Sequence, residues 1–127
     1  AWAHGTGMQH MNPSVAHEPR YRKWYSRQVR LGLSPGMARR LAELNCDVDI
    51  RGVLPQIVAP TLVLTRTKDP WIRAENSRYL AEHIHDAELL ELPGVDHEPW
   101  IGDSAPVFAA IEQLISRVAP PVSLAPR

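Results

Sequence analysis

Apolar and polar positions divide the chain into periodic segments separated by proline and glycine. Residues 1–18 show little periodicity and contain Gly5, Gly7, Asn12 and Pro13, which reads as irregular chain. From Pro19 to Leu31, Tyr21, Trp24, Tyr25 and Val29 fall on one helical face, and Arg22, Lys23, Arg27 and Arg30 take most of the rest. Gly32 is placed to stop this helix. Ser34 then reads as an N-cap, with Pro35 at the first helical position, where its missing N–H costs nothing. Met37, Leu41 and Leu44 carry a second helix to about Asn45.

Beyond residue 50 the period changes. Thr61-Leu62-Val63-Leu64-Thr65 follows Pro60 and is apolar or β-branched at consecutive positions, as in a parallel strand buried on both faces. Thr67-Lys68-Asp69-Pro70 ends it. Ser77, Leu80, Ala81 and Ile84 predict a helix that starts near Arg73 or Ala74. Ala87 to Leu92 forms a second strand, halted by Pro93-Gly94 and followed by a polar loop from Val95 to Asp103. Asp103 or Ser104 caps a last helix with Val107, Phe108, Ile111, Leu114 and Ile115 on one face. Residues 119–127 read as a disordered, proline-rich tail. The order strand, loop, helix, strand, loop, helix predicts an α/β arrangement of parallel strands with a right-handed crossover.

Composition narrows the function classes. The 127 residues carry 14 Lys+Arg against 14 Asp+Glu, without the basic excess of a nucleic-acid binder. Hydrophobic residues at 44% and charged residues at 22% fit a globular domain rather than a disordered one. The one cysteine, Cys46, excludes an internal disulfide and a multi-cysteine zinc site, fits a reducing compartment and reads as a small core residue. No apolar run approaches the roughly 18 residues of a membrane span. The N-terminus shows no signal-peptide pattern, and a cytoplasmic location without membrane partners is expected.

Chemistry in parallel sheets gathers beyond the carboxyl ends of the strands. Lys68-Asp69 follows the first strand and Asp96-His97-Glu98 the second, so neighbouring strands bring Asp69 and His97 to one edge. A carboxylate and an imidazole there form two members of a nucleophile–base–acid relay. The same residue types also fit a loop Asp that caps the next helix and a solvated loop histidine.

Several stretches resemble the C-terminal part of the α/β-hydrolase fold family. They are Asp49-Ile50-Arg51-Gly52-Val53-Leu54-Pro55-Gln56-Ile57, Pro60-Thr61-Leu62-Val63-Leu64 with Asp69, Arg78-Tyr79-Leu80-Ala81, and Leu92-Pro93-Gly94-Val95-Asp96-His97. The similarity is greatest to bacterial members of the type sometimes fused to nucleotide cyclase or DNA-binding regulatory domains. It covers residues 49–117 well and 12–48 more loosely, where Asn12-Pro13-Ser14 and Ser34-Pro35-Gly36 are similar to pieces of the lid. The resemblance implies Asp69 as triad acid and His97 as triad base, with hydrolysis of an ester or related small apolar substrate. It assigns residues 1–48 to a lid- or cap-like helical segment and 49–118 to the C-terminal α/β part of the core.

The chain departs from the family upstream. No nucleophile elbow is recognised: Ser14 and Ser26 lack the flanking glycines, and Ser34, although Gly32 and Gly36 flank it in a G-x-S-x-G pattern, lies between two predicted helices rather than after a strand and is accounted for as an N-cap. His4-Gly5-Thr6-Gly7 is a poor likeness of an oxyanion loop, and the first strands of the fold are missing. The expectation is a fragment carrying acid and base, inactive alone, that needs the missing N-terminal half or self-association. Relatives with an Asp nucleophile, as in epoxide hydrolases and dehalogenases, share the fold. The competing class is a non-catalytic regulatory or interaction module, or a relic of a hydrolase fold.

Trp24, Tyr25, Trp71 and Trp100 are candidate walls of a substrate pocket, with ordinary packing as the alternative for each. His83 and His85 suggest a metal pair, but a helix C-terminus accounts for both, and no third ligand is near in sequence. No metal and no cofactor is implied.

Overall fold

Two parallel strands, β1 (Leu62–Arg66) and β2 (Glu88–Leu92), pair in the register Val63 with Leu89 and Thr65 with Glu91. A computed structural model describes residues 7–118 of the chain; the expected tail at 119–127 and most of the His4-Gly5-Thr6-Gly7 stretch lie outside the described residues. Helix α4 (Ala74–His83) connects the strands and packs on both, and α5 (Ala105–Val118) follows β2 and touches β1. Ahead of them come α1 (Met8–Met11), α2 (Pro19–Gly32), α3 (Pro35–Asp47) and one 3-10 turn at Leu54–Gln56. The chain is therefore mixed, with helices around a small parallel sheet. Among the described residues no helix is long and apolar enough to cross a membrane.

Local rules account for most boundaries. Ser34 caps α3, its Oγ accepting the Met37 N–H at 3.3 Å, and Pro35 opens the helix. Pro19 opens α2 in the same way. Asp103 Oδ1 accepts the Ala105 N–H at 3.2 Å where α5 begins. The strand ladder continues into the loops at its carboxyl end. There the Thr67 N–H donates to the Leu92 carbonyl at 2.9 Å and the Lys68 N–H to the Gly94 carbonyl at 3.0 Å. This extension carries both polar clusters to one edge of the sheet.

Burial is sparse. The buried apolar side chains are Met8, Leu54, Val63, Ala74, Ile84, Leu92 and Val107. Val63, Thr65 and Arg66 of β1 are buried, Leu62 and Leu64 are half-buried, and Glu88 and Leu89 of β2 are exposed. Burial on both faces, expected from the run at Thr61–Thr65, is thus incomplete, because two strands offer too little area for helices to cover both sides.

Helices α2 and α3 bury no residue completely, and Met37, Leu41 and Leu44 on the apolar stripe of α3 are exposed. Cys46, read from sequence as a core residue, is exposed as well: it lies on the other side of α3 from that stripe, and no residue of this helix is buried. On α5 the predicted face is buried at Val107 and half-buried at Ile111 and Leu114, while Phe108 and Ile115 are exposed. Two short elements escape the periodicity: α1, inside a stretch read as irregular, and the 3-10 turn that buries Leu54. Neither is long enough to repeat a pattern.

A candidate acid–base site at the sheet edge

Asp69 leaves β1 and His97 leaves β2 at the same edge, and their side chains meet. His97 Nδ1 lies 2.7 Å from Asp69 Oδ2. Asp69 Oδ1 accepts the backbone N–H groups of Trp71 at 2.7 Å and Ile72 at 3.1 Å. Both carboxylate oxygens are therefore engaged, and the side chain is 6% exposed against 33% for His97. Asp69 holds the turn before α4, which starts only at Ala74, so turn-holding and the histidine contact occur in one residue. With a carboxylate facing Nδ1, the neutral ring carries its proton there and leaves Nε2 as the acceptor. Among the described residues no protein group is hydrogen-bonded to Nε2.

The residues on either side of His97 are tied to the start of the chain. The buried Asp96 accepts the Ser14 N–H at 3.0 Å and the Ser14 hydroxyl at 2.7 Å. The His97 N–H donates to the Met11 carbonyl at 2.7 Å. Glu98 meets Asn12 twice: its N–H donates to Asn12 Oδ1 at 3.1 Å, and its Oε2 accepts from Asn12 Nδ2 at 2.9 Å. From the strand side, buried Arg66 donates to the carbonyls of Pro93 at 3.1 Å, Ile101 at 3.0 Å and Asp103 at 2.8 Å.

Two tyrosines of α2 lie against this loop. Burial pushes the Tyr21 hydroxyl up to about 12, and the Glu98 carboxylate adds to the shift. Tyr25 is raised by the same causes, and its hydroxyl contacts Met11 Sδ at 3.1 Å.

A cavity of about 100 Å³ opens beside the pair, walled by Leu64, Ile72, Leu92 and Val107 with His97 and Asp69 at its edge. Pockets that enclose a ligand usually span ~300–1,000 Å³. This one is a partial pocket. Ser77 and Thr65 also line it, and neither hydroxyl is hydrogen-bonded to His97. Trp24, Tyr25, Trp71 and Trp100 do not line it; Tyr25 is half-buried, and the three tryptophans are exposed.

His83 and His85 are held apart from any such site. His83 Nδ1 bonds the Tyr79 carbonyl at 2.8 Å and its ring stacks on Tyr79, while His85 sits beside Asp86. Among the described residues no group of three His, Cys, Asp or Glu side chains is arranged to hold a metal ion.

The sequence reading singled out Asp69 and His97 but passed over Asn12 and Ser14 as anchors, and Arg66 altogether. A signal for Arg66 was present: a charged residue ends an apolar strand that otherwise stays out of water. Nothing local marks Asn12 or Ser14, whose partners lie 86 and 82 residues away.

The arrangement can accept a proton at Nε2 and stabilise the resulting imidazolium through Asp69. No protein-family model matches the sequence, and no curated protein matches it at a significant level.

Proposed function

We propose that this chain is the C-terminal portion of an α/β hydrolase, supplying the triad acid Asp69 and base His97 for attack on the carbonyl of an ester or related small apolar substrate. The observation that supports this reading is the 2.7 Å contact between Asp69 Oδ2 and His97 Nδ1, with Nε2 free beside an apolar cavity. Acyl transfer also needs an activated nucleophile and oxyanion donors. The G-x-S-x-G pattern at Gly32-Leu33-Ser34-Pro35-Gly36 does not provide them, because it joins helices α2 and α3 rather than a strand to a helix, and the Ser34 hydroxyl caps α3. The rest of the sheet would supply both, close the pocket and cover the exposed apolar side chains; self-association is the other way to cover them. The substrate is a small molecule, and no nucleic acid, membrane or cofactor enters the reaction. One free cysteine and no disulfide fit a cytoplasmic setting.

A second reading, a non-catalytic interaction module that kept the fold, is favoured by one observation. Leu31, Met37, Leu44, Val58, Trp71 and Trp100 are all more than half exposed, which leaves much apolar surface for a partner.

Ester hydrolysis tests the choice. The 127-residue chain should turn over p-nitrophenyl esters no faster than its His97→Ala variant. The gene's reading frame extended upstream should encode the elbow and give turnover that His97→Ala abolishes. An extended frame without an elbow, or with turnover indifferent to His97, would refute the hydrolase reading in favour of the module.

A further inference from the structure

The geometry points to Asn12 as a positioning residue for His97, a role we propose on top of the acid–base reading and resting on it. Asn12 is 0% exposed, and both N–H donors and the carbonyl oxygen of its amide are engaged. Nδ2 donates to the Tyr21 hydroxyl at 2.7 Å and to Glu98 Oε2 at 2.9 Å, while Oδ1 accepts the Glu98 N–H at 3.1 Å. The amide orientation follows from its partners, because the carboxylate accepts only and the backbone N–H donates only. Next to it, the Met11 carbonyl takes the His97 N–H at 2.7 Å.

Two consecutive residues thus hold two consecutive backbone N–H groups, those of His97 and Glu98. Ser14 fixes Asp96 on the other side. A hydrogen bond weakens steeply beyond about 3.2 Å. A displacement of this loop that carries the ring more than about half an ångström from Asp69 would take His97 Nδ1 beyond that distance. Asn12 is bonded to neither the ring nor Asp69, so its effect on the imidazole passes through the backbone of residues 97 and 98.

This makes the base conditional on the N-terminal segment. Where Met11–Ser14 is docked, the ring is held with Nδ1 on Asp69 and Nε2 directed away from it. Where the segment is released, residues 96–98 lose these bonds and are held by the Glu98 carbonyl's bond from the Ile101 N–H, by the His97 ring on Asp69 and, on either side, by Arg66.

The tautomer of His97 reports this without a catalytic assay. A free neutral imidazole favours the proton on Nε2, whereas Asp69 as acceptor demands it on Nδ1. Nitrogen NMR of the ring in the full chain, at a pH where it is neutral, reads the difference directly. Wild type should show Nδ1–H. Asn12→Ala should shift His97 towards Nε2–H, with circular dichroism unchanged. Exchanging the two groups, Asn12→Asp with Glu98→Gln, leaves an acceptor for the backbone N–H and a donor–acceptor pair between the side chains, and it should restore Nδ1–H.

Wild-type Nδ1–H that persists in folded Asn12→Ala would overturn the positioning role alone. Wild-type Nε2–H would overturn the Asp69–His97 pairing itself, and the positioning role with it. If Asn12→Ala does not fold, the exchanged variant decides: folded with Nδ1–H it supports the role, and folded with Nε2–H it refutes it.

Discussion

The Arg66 side chain fills the space that a side chain on Gly94 would occupy: its Cδ lies 2.7 Å from where a Cβ would stand. Gly94 also adopts φ 140°, a conformation that L residues rarely take. Both features let the backbone after β2 lie against the buried guanidinium. Gly94→Ala is expected to cost about 1–3 kcal/mol through backbone strain and displacement of Arg66. A lower urea midpoint at unchanged slope would register it, and a midpoint equal to wild type would show that the loop can shift freely.

Arg66 has three backbone carbonyls as partners, on residues 93, 101 and 103. A planar fork of donors reaches all three, and an ammonium cannot. A fully buried acceptor left unpaired costs about 1–3 kcal/mol, and these carbonyls, reached by part-buried bonds, cost less each because water can replace the lost donor. Arg66→Lys should therefore destabilise the chain despite retaining the charge, and amide hydrogen exchange over residues 94–103 should accelerate before that of β1. Uniform acceleration across the molecule would argue against a local staple.

Leu54 and Leu44 make a paired test of where the core lies. Leu54 is 1% exposed in its 3-10 turn, and Leu44 is 56% exposed on α3. Leu54→Ala should cost about 2–5 kcal/mol. Leu44→Ala should stay within about 0.5 kcal/mol. Thermal unfolding of both variants checks this, and a large loss at Leu44 would mean that α3 packs against something in solution.

Alkaline pH should weaken the attachment of α2. Tyr21 is raised from 10.0 to about 12, chiefly by burial, so the folded state holds a proton that the unfolded chain has lost in that window. Its stabilising contribution is complete below pH 10 and is lost as the pH rises through 12. Ultraviolet titration of tyrosinate should show a late-ionising step that disappears in Tyr21→Phe. The same variant should flatten, though not abolish, the loss of stability in that range, since Tyr25 is also raised.

Much of this molecule is legible along the chain. Short apolar runs and helical spacing place β1, α4, β2 and α5 within a residue or two, and Ser34-Pro35 marks the start of α3. Two strands joined by one helix run parallel, and residues just past their carboxyl ends share an edge. That is why Asp69 and His97, 28 residues apart, could be singled out as a pair before any coordinates. Strand and helix periods are properties of neighbouring residues, and the crossover converts them into proximity.

What lay outside that reach was decided in three dimensions. The apolar stripe of α3 looks the same in sequence whether a partner surface covers it or not, and Met37, Leu41 and Leu44 proved exposed. Asn12 and Ser14 are ordinary loop residues until the chain returns, 86 and 82 residues later, to set Glu98 and Asp96 beside them. Gly94 reads only as a strand stop until Arg66 is seen beside it. A hydrogen bond between distant single polar residues leaves no period in the sequence, since each partner satisfies the other once and nothing repeats. Local order was therefore written in the pattern, while the hold on His97 depended on which segments the tertiary fold brings together.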